Sequence, residues 1–130
     1  MMMTKKLTHK IKKILLVEDV QVAQMAAKLI LRNSGLTVDI ATSGHAALEA
    51  LAKKAYDLIF VDIDLGDMTG FEVVDQLRSK QGPNKNANVF ALTAYKNDEE
   101  YTERASKMQG YLVKPIDTQI LSDLLTKLTS

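Results

Sequence analysis

The sequence has no cysteine, no tryptophan and only two prolines among its 130 residues. The absence of cysteine excludes a disulfide framework, a thiol nucleophile and any cysteine-ligated zinc or iron–sulfur site. It also fits a reducing compartment, and we expect a cytoplasmic location. Long hydrophobic runs are lacking as well, because runs such as Ile14–Val17 are far too short to span a bilayer. We therefore expect no membrane partner.

An excess of either charge is also lacking, with 17 Lys and Arg against 16 Asp and Glu, but the distribution is uneven. Residues 1–13 contain no acidic residue and five lysines, namely Lys5, Lys6, Lys10, Lys12 and Lys13. From Ile14 onward, 12 basic residues stand against 16 acidic ones, a net charge of −4. We interpret residues 1–11 as a basic N-terminal leader and 12–130 as one domain. Because the leader lacks arginine and aromatic residues, no nucleic-acid partner is expected.

Short apolar runs of strand length alternate with stretches of helical periodicity. The runs are Ile14–Val17, Val38–Ala41, Leu58–Val61, Val89–Leu92 and Tyr111–Val113. Most are continuous rather than alternating, as expected for strands that helices cover on both faces. A helix is predicted after each strand, the fourth being a polar stretch over 98–108. This order predicts an α/β fold, a doubly wound five-stranded parallel sheet.

The predicted helices have recognisable ends. Ser43, Thr69 and Asp117 are residue types that cap helix N-termini, and they precede the second, third and last helices. Gly35 is a C-cap glycine at the end of the first helix. That helix has an apolar stripe of Val22, Met25, Ala26, Leu29 and Ile30. We expect Met25 to be an ordinary filler of the core or of a loop.

Polar residues follow four of the five predicted strands. They are Glu18 and Asp19, then Asp62 with Asp64, then Thr93, and last Lys114. Sites in open α/β sheets form beyond the carboxyl ends of the strands, so these ends converge if the second strand lies at an edge. Clustered carboxylates without His or Cys favour Mg²⁺ or Mn²⁺. A metal beside a hydroxyl, an ammonium and a carboxylate nucleophile is typical of phosphoryl transfer.

Together these residues resemble the receiver domain of two-component response regulators, the CheY-like family. The matching stretches are Ile14–Asp19, Asp57–Asp62, Asp67–Gly70, Ala91–Ala94 and Tyr111–Ile116. The resemblance implies a flavodoxin-like (βα)5 fold with strand order 2-1-3-4-5 and a receiver domain over 12–130. The stretches around Gly70 and Thr93 are most similar to receivers of hybrid sensor histidine kinases.

The resemblance also implies a metal site. Asp62 would be the phosphoacceptor, and Asp19 and Asp62 would bind Mg²⁺ directly. The backbone carbonyl of Asp64 would be a further ligand, and Glu18 would act mostly through water. Gly66 departs from the family, which usually has proline at that position.

Further roles follow from the same resemblance. Thr93 and Lys114 would each bind a phosphoryl oxygen, and the bond between Lys114 and Pro115 would be cis. Tyr111 would be the switch aromatic, turning inward when Thr93 moves toward the phosphoryl group. The output face would involve the fourth helix, the fifth strand and the fifth helix.

The implied function is phosphorelay signalling, in which Asp62 accepts a phosphoryl group from a phosphohistidine. The partner would be a sensor histidine kinase or a histidine phosphotransfer protein, and a homodimer is left open. No separate enzyme activity is expected beyond self-phosphorylation and autodephosphorylation. If the chain belongs to a hybrid histidine kinase, the full protein would be a protein-histidine kinase; a single-domain regulator is the other expectation.

Two alternatives stay open at this point. The first is a haloacid-dehalogenase-type phosphatase with Asp62 as nucleophile and Asp64 as general acid. That family normally begins with this motif and needs an acidic pair after the lysine, where this chain has only Asp117 and Asp123. The second is a receiver-like interaction domain that is never phosphorylated.

Overall fold

The computed structural model describes residues 11–94 and 105–129 and contains one five-stranded sheet. The strands are β1 (Lys13–Val17), β2 (Thr37–Ala41), β3 (Leu58–Asp62), β4 (Asn88–Thr93) and β5 (Gly110–Val113). The helices are α1 (Gln21–Asn33), α2 (Gly44–Lys53), α3 (Gly70–Ser79) and α4 (Thr118–Thr129). The strand order is β2-β1-β3-β4-β5 and every pairing is parallel, which confirms the predicted sheet.

The predicted helix over 98–108 falls largely on residues 95–104, which lie outside the described residues. Its described remainder, Ala105–Lys107, is a short 3₁₀ turn before β5. Within the described ranges no helix is both long enough and apolar enough to cross a bilayer.

Helices on both faces of the sheet explain why the strands are continuously apolar. Leu15 and Val17 of β1 face one cluster, while Ile14 and Leu16 face the other. The first cluster includes Ala47 and Leu51 of α2 with Phe71, Val74 and Leu77 of α3. The second includes Leu31 of α1 with Leu121 and Leu124 of α4. Alternate side chains of each central strand therefore both meet a hydrophobic layer.

The predicted helix ends are confirmed. Ser43 Oγ accepts from Ala46 N at 3.0 Å, and Asp117 Oδ1 accepts from Ile120 N at 2.7 Å. Thr69 forms a full capping box with Glu72 at the start of α3. These caps satisfy backbone donors that lack a partner within the helix.

The apolar stripe of α1 faces solvent, which contradicts the expectation that Met25 fills the core or a loop. Met25 is 65% exposed, and Val22 and Leu29 are 77% and 62% exposed. The sheet packs instead against the opposite side of α1, where Leu31 is fully buried and Ile30 is partly buried. The helix was predicted correctly, but the expectation for Met25 is wrong because periodicity does not identify the face that meets the sheet.

A buried asparagine holds the loops at the amino ends of the strands. Asn84 is 1% exposed, and its Oδ1 accepts from Tyr56 N at 2.8 Å. Its Nδ2 donates to Leu51 O at 2.8 Å and to Lys54 O. One side chain thus joins the end of α2, the start of the β3 segment and the loop before β4.

An aspartate joins the loop after β3 to the start of α2. Asp67 Oδ1 and Oδ2 accept from Gly44 N and His45 N at 2.9 and 3.0 Å. His45 Nδ1 lies 2.7 Å from Asp67 Oδ2. The backbone donors of Gly44 and His45, followed by the His45 ring, lower the pKa of Asp67 to about 2. The positive end of the α2 dipole further favours a carboxylate at this position.

Replacing Asn84 with alanine should destabilise the fold. Asn84→Ala leaves the buried Tyr56 N–H without its acceptor, so we expect a loss of about 2–3 kcal/mol in unfolding free energy. Urea denaturation measures it. Asn86 is exposed in the same turn, and Asn86→Ala should change stability by less than about 0.5 kcal/mol. Equal effects of the two substitutions would contradict this role of Asn84.

The Asp67 contact should make stability depend on pH. Its carboxyl pKa is depressed from 3.8 to about 2, so the stabilisation is present above pH 3.8 and is lost as the pH falls through about 2. Asp67→Asn should therefore lower Tm at pH 7, and the difference from wild type should close near pH 2. The control is Asp123→Asn on the surface of α4, with no such gap expected. A gap that stays constant down to pH 2 would contradict the interpretation.

Candidate metal centre

The carboxyl ends of four strands bring the predicted site residues to one edge of the sheet. Glu18 and Asp19 follow β1, Asp62 ends β3, Thr93 ends β4 and Lys114 follows β5. The register aligns neighbouring strand ends, with Val17 beside Val61 and Thr93 beside Val113. β2 lies at the edge of the sheet, as the convergence of the other four ends requires.

Three carboxylates form a tight cluster at this edge. One oxygen from each of Glu18, Asp19 and Asp62 lies within 4.8 Å of the others. Glu18 is 1% exposed and Asp62 is 8% exposed, whereas Asp19 is open to solvent. The cluster therefore has two buried members and one exposed member.

Lys114 neutralises part of this charge. Its Nζ lies 2.7 Å from Glu18 Oε1 and donates to Asp62 Oδ2 at 2.9 Å. The backbone N–H of Lys114 donates to Thr93 O at 2.8 Å, which continues the β4–β5 pairing to the lysine itself. The bond between Lys114 and Pro115 is cis, as the sequence comparison with the receiver family implied.

Burial and ion pairing have opposing effects on the pKa of Glu18 and on that of Lys114. Burial raises the pKa of Glu18, and the hydrogen bond from Lys114 only partly offsets this effect. Burial disfavours the charged form of Lys114, but its contacts with Glu18 and Asp62 outweigh the burial, so the pKa of Lys114 is raised. The lysine therefore stays charged at neutral pH.

The cluster opens into a cavity of about 440 Å³. Its lining includes Asp19, Asp62, Asp64, Thr93 and Lys114. The walls thus carry carboxylates, a hydroxyl residue and an ammonium together. A small anion bound with a cation would meet both kinds of group.

The residues fit a divalent cation. The donors are carboxylate oxygens without His or Cys, which is the set that Mg²⁺ prefers. If all ionise, Glu18, Asp19 and Asp62 with Lys114 carry a net charge of −2. A divalent cation balances this charge, whereas a neutral ligand would leave it uncompensated.

The loop after β3 approaches the cluster through its backbone. Asp64 N donates to Asp62 Oδ1 at 3.3 Å. Gly66 has φ +85°, a left-handed conformation that favours glycine. A Cβ on Gly70 would lie 2.5 Å from Asp62 O, so a glycine is needed where α3 begins against the site strand.

The predicted site residues do not all occupy equivalent places. The structure brings Glu18, Asp19, Asp62 and Lys114 together, and Thr93 lines the same cavity. The side chain of Asp64 is exposed at the rim and is not one of the three clustered carboxylates. Tyr111 on β5 is 40% exposed and is not part of the cavity lining.

Sequence reasoning missed Asp67, which fixes the loop after β3. Its backbone partners, Gly44 and His45, are more than twenty residues earlier in the chain. No local motif reports such a contact. The available signal was the N-terminus of α2, which attracts an anion from elsewhere in the chain.

Comparison with known proteins is consistent with this geometry. The family model for the response regulator receiver domain matches residues 14–126. The aerobic respiration control sensor protein ArcB of Escherichia coli is 34% identical over 116 residues, or 88% of this chain. The match covers 15% of ArcB, so the chain spans a small part of that relative.

Solved receiver structures are similar over almost their whole length. The receiver domain of the Pseudomonas aeruginosa sensor histidine kinase PA1611 has a TM-score of 0.80 and 29% identity, covering 92% of this chain and 98% of that one. That structure has a magnesium ion in its active-site cleft. Response regulator TrrA of Thermotoga maritima, in complex with Mg²⁺ and BeF, has a TM-score of 0.78 and 30% identity, covering 91% and 99%. With the match over residues 14–126, these likenesses show that the chain belongs to the response regulator receiver domain family of two-component systems.

Proposed function

We propose that Asp62 is the phosphoacceptor of this receiver domain and that Mg²⁺ binds beside it. The observation that carries the proposal is the position of the Asp62 carboxylate. It lies in the cavity, its Oδ2 accepts a hydrogen bond from Lys114 Nζ, and one oxygen each of Glu18 and Asp19 lies within 4.8 Å of it. A carboxylate fixed between a cation and a candidate metal position is suited to attack phosphorus.

The proposed metal ligands are Asp19 and Asp62, with the backbone carbonyl of Asp64 and with Glu18 acting mostly through water. The magnesium-containing receivers of similar fold support this assignment. Bound there, Mg²⁺ would supply positive charge to the oxygens of an incoming phosphoryl group. Mn²⁺ has the same preference for oxygen ligands and should substitute for it.

Phosphoryl transfer to Asp62 exchanges one bond to phosphorus for another. An oxygen of Asp62 forms a bond to phosphorus while the bond from phosphorus to the donor nitrogen of a phosphohistidine breaks. The electron pair leaves with the imidazole nitrogen, and the product is an aspartyl phosphate. Lys114 Nζ and the Thr93 hydroxyl then bind phosphoryl oxygens, which places the new charge opposite an ammonium.

The aspartyl phosphate acts as a switch in this proposal. Movement of Thr93 toward the phosphoryl group leaves room into which Tyr111 turns. Tyr111 is exposed on β5, two residues before Val113, which pairs with Thr93 in the sheet. A ligand shifts such an equilibrium only by binding one conformation better, and here the covalently bound phosphoryl group plays that part.

The proposed phosphodonor is a sensor histidine kinase or a histidine phosphotransfer protein. A hybrid histidine kinase of Dictyostelium discoideum and a sensor histidine kinase of Burkholderia thailandensis among the relatives support this class of partner. We further propose a receiver domain over 12–130 and a cytoplasmic location. Membership of a hybrid kinase and a role as a free regulator both stay compatible with the chain, because it spans only 15% of ArcB.

The phosphatase alternative is not supported by the later acidic residues. Asp117 caps α4 through Ile120 N, and Asp123 accepts from Gln119 along the same helix. Neither belongs to the group of three clustered carboxylates found among the described residues. Among the described residues, Asp117 and Asp123 therefore supply no acidic pair with which Asp64 could form a phosphatase centre.

Labelling with acetyl phosphate tests the phosphoacceptor. With Mg²⁺, wild type should give a shifted band on a phosphate-affinity gel, and Asp62→Asn should abolish it because the attacking oxygen is lost. Removing Mg²⁺ with EDTA should also abolish it. Asp75→Asn, on the outer surface of α3, is the matched control and should label like wild type.

Other results would contradict the assignment of Asp62 or favour one of the two alternative functions. Labelling of Asp62→Asn equal to wild type would contradict the assignment. Steady turnover of p-nitrophenyl phosphate would revive the phosphatase. Absence of labelling together with absence of Mg²⁺ binding by calorimetry would favour an unphosphorylated interaction domain.

Lys114 has two proposed effects, competition with the metal for the carboxylates and binding of the phosphoryl group, and one substitution should change them in opposite directions. Lys114→Met removes a cation that competes with the metal for Glu18 and Asp62, so Mg²⁺ affinity should rise about three- to tenfold. The yield of aspartyl phosphate should fall about tenfold or more, because the phosphoryl group loses its ammonium. Calorimetry and the gel measure the two effects, with exposed Lys53→Met as control. A drop in Mg²⁺ affinity would contradict the competition.

A further inference from the structure

The loop of residues 63–69 between β3 and α3, called here the β3–α3 loop, contacts two separate parts of the molecule. Asp64 and Gly66 line the cavity of the candidate metal centre. A Cβ on Gly66 would lie 3.7 Å from Asp19 Oδ2, so the backbone of the loop borders the acidic cluster. Asp67, the next residue, binds instead the start of α2. The β3–α3 loop therefore connects the cavity with the N-terminal end of α2.

Backbone hydrogen bonds fix the two ends of the β3–α3 loop. Ile63 N donates to Leu92 O at 3.2 Å, and Gly70 N donates to Ile63 O at 2.7 Å. Asp64 and Thr69 form an isolated antiparallel bridge between the two ends. The sheet and the start of α3 thus hold the ends of the loop, and its central residues need a support of their own.

The central residues are held by α2 through a polar and an apolar contact. Asp67 Oδ1 accepts from Gly44 N at 2.9 Å, and Asp67 Oδ2 accepts from His45 N at 3.0 Å. Hydrogen bonds to an ionised carboxylate are stronger than those between neutral groups. Met68 packs so closely on Gly44 that a Cβ on Gly44 would overlap Met68 Cγ. Because these contacts come from a different helix, α2 supports the loop independently of β3 and α3.

We propose that Asp67 is a positioning residue of the metal centre: by binding the start of α2, it holds the backbone carbonyl of Asp64 in place for Mg²⁺. This role rests on the proposed function, in which that carbonyl is a metal ligand. Asp67 acts through the loop and not as a ligand, because both of its carboxylate oxygens are already bound by α2.

The physical reason lies in the geometry that Mg²⁺ requires. The ion tolerates little deviation from octahedral coordination, so its protein ligands have to be held in position before it binds. A backbone carbonyl moves with its loop. If the loop were not held by Asp67, Mg²⁺ would have to order it, and the entropy lost in ordering would weaken binding. The contact with α2 removes this cost before the ion arrives.

The Asp67 contact and Mg²⁺ binding have to reinforce each other. If the contact strengthens Mg²⁺ binding, then by thermodynamic linkage Mg²⁺ strengthens the contact by the same factor. The amides of Gly44 and His45 belong to the first turn of α2, where backbone donors have no acceptor within the helix. Asp67 supplies their acceptor. Mg²⁺ in the cavity should therefore slow the exchange of these two amides with solvent.

Calorimetric titration of the full chain with Mg²⁺ tests the positioning role. Asp67→Ala should weaken Mg²⁺ binding about three- to tenfold, since the ion must then order the loop. Asp67→Asn keeps one acceptor oxygen and should weaken binding less. The control is Asn84→Ala, which destabilises the fold at the amino ends of the strands and should leave Mg²⁺ affinity within about twofold of wild type. An equal loss of affinity in Asn84→Ala and Asp67→Ala would overturn the proposal, because general stability would explain both.

A substitution on α2 tests the same contact without removing a charge. Gly44→Ala places a methyl group against Met68 and displaces the loop from α2, so it should also weaken Mg²⁺ binding. Combined with Asp67→Ala it should add little, because both substitutions act on one contact. The control is Ala52→Gly, which destabilises α2 on its exposed side and should leave the affinity unchanged. Wild-type affinity in Gly44→Ala would assign the effect of Asp67→Ala to its charge and overturn the positioning role.

Amide hydrogen exchange followed by NMR gives a readout that is independent of phosphorylation. Without Mg²⁺, Asp67→Ala should speed the exchange of the Gly44 and His45 amides about tenfold or more. With Mg²⁺, the same amides should exchange about threefold or more slowly in wild type. Ala46 N donates to Ser43 Oγ and is the internal control, whose exchange should change little. Gly44 and His45 amides that do not respond while Mg²⁺ binds would contradict the coupling.

The same measurements distinguish failure of the positioning role from failure of the proposed function. A wild type that neither binds Mg²⁺ nor is labelled by acetyl phosphate would refute the proposed function, and the positioning role with it. A wild type that does both, beside an Asp67→Ala variant of equal Mg²⁺ affinity, would refute the positioning role alone. At saturating Mg²⁺, labelling of Asp67→Ala should reach the wild-type level, because Asp62 and Lys114 are unchanged. Labelling that stays low at saturating Mg²⁺ would also contradict a role confined to the metal.

Discussion

The contact of Lys114 with Glu18 and Asp62 is the interaction on which the site depends. Two carboxylates almost removed from solvent repel each other at this distance, and burial raises the pKa of Glu18. The ammonium offsets both effects, but it does so at the end of a side chain that is partly exposed. The result is an acidic centre whose charge is only partly balanced by Lys114.

The sheet supplies the conditions for this contact. β1, β3 and β4 have mostly buried side chains on both faces, which fixes the strand ends that carry Glu18, Asp62 and Thr93, whereas β5 before Lys114 is only partly buried. At the amino ends of the strands, buried polar groups are satisfied in a different way. There Asn84 satisfies buried backbone groups with neutral hydrogen bonds, and no charge is buried with it. The charged site thus lies at the carboxyl ends of the strands, and the neutral hydrogen bonds of Asn84 lie at their amino ends.

The sequence allowed the strands, the helix caps and the residues of the cluster to be predicted, because each has a local signal, whereas the strand order was implied by the resemblance to the receiver family. Continuous apolar runs indicate strands with two covered faces, and the residue after such a run must lie at an edge of the sheet. Asp67 and the direction of the α1 stripe have no such signal. Asp67 acts on backbone donors from a different helix, and Met25 lies in a pattern that is equally compatible with either face of α1. Both depend on how separate elements meet, which periodicity does not contain.

The exposed apolar face of α1, which includes Met25, lies next to the cavity. α1 starts directly after the acidic segment, and Val20, its N-cap, borders the cavity. A protein bound to the exposed apolar face of α1 would therefore lie beside the acidic cluster, and a cation or phosphoryl group in the cavity would alter the charge that this protein meets. Coupling between two sites requires a difference in the contacts that each ligand makes in the two states. In the proposed function Asp19 would provide that difference, because its exposed carboxylate belongs to the acidic cluster and lies directly before α1.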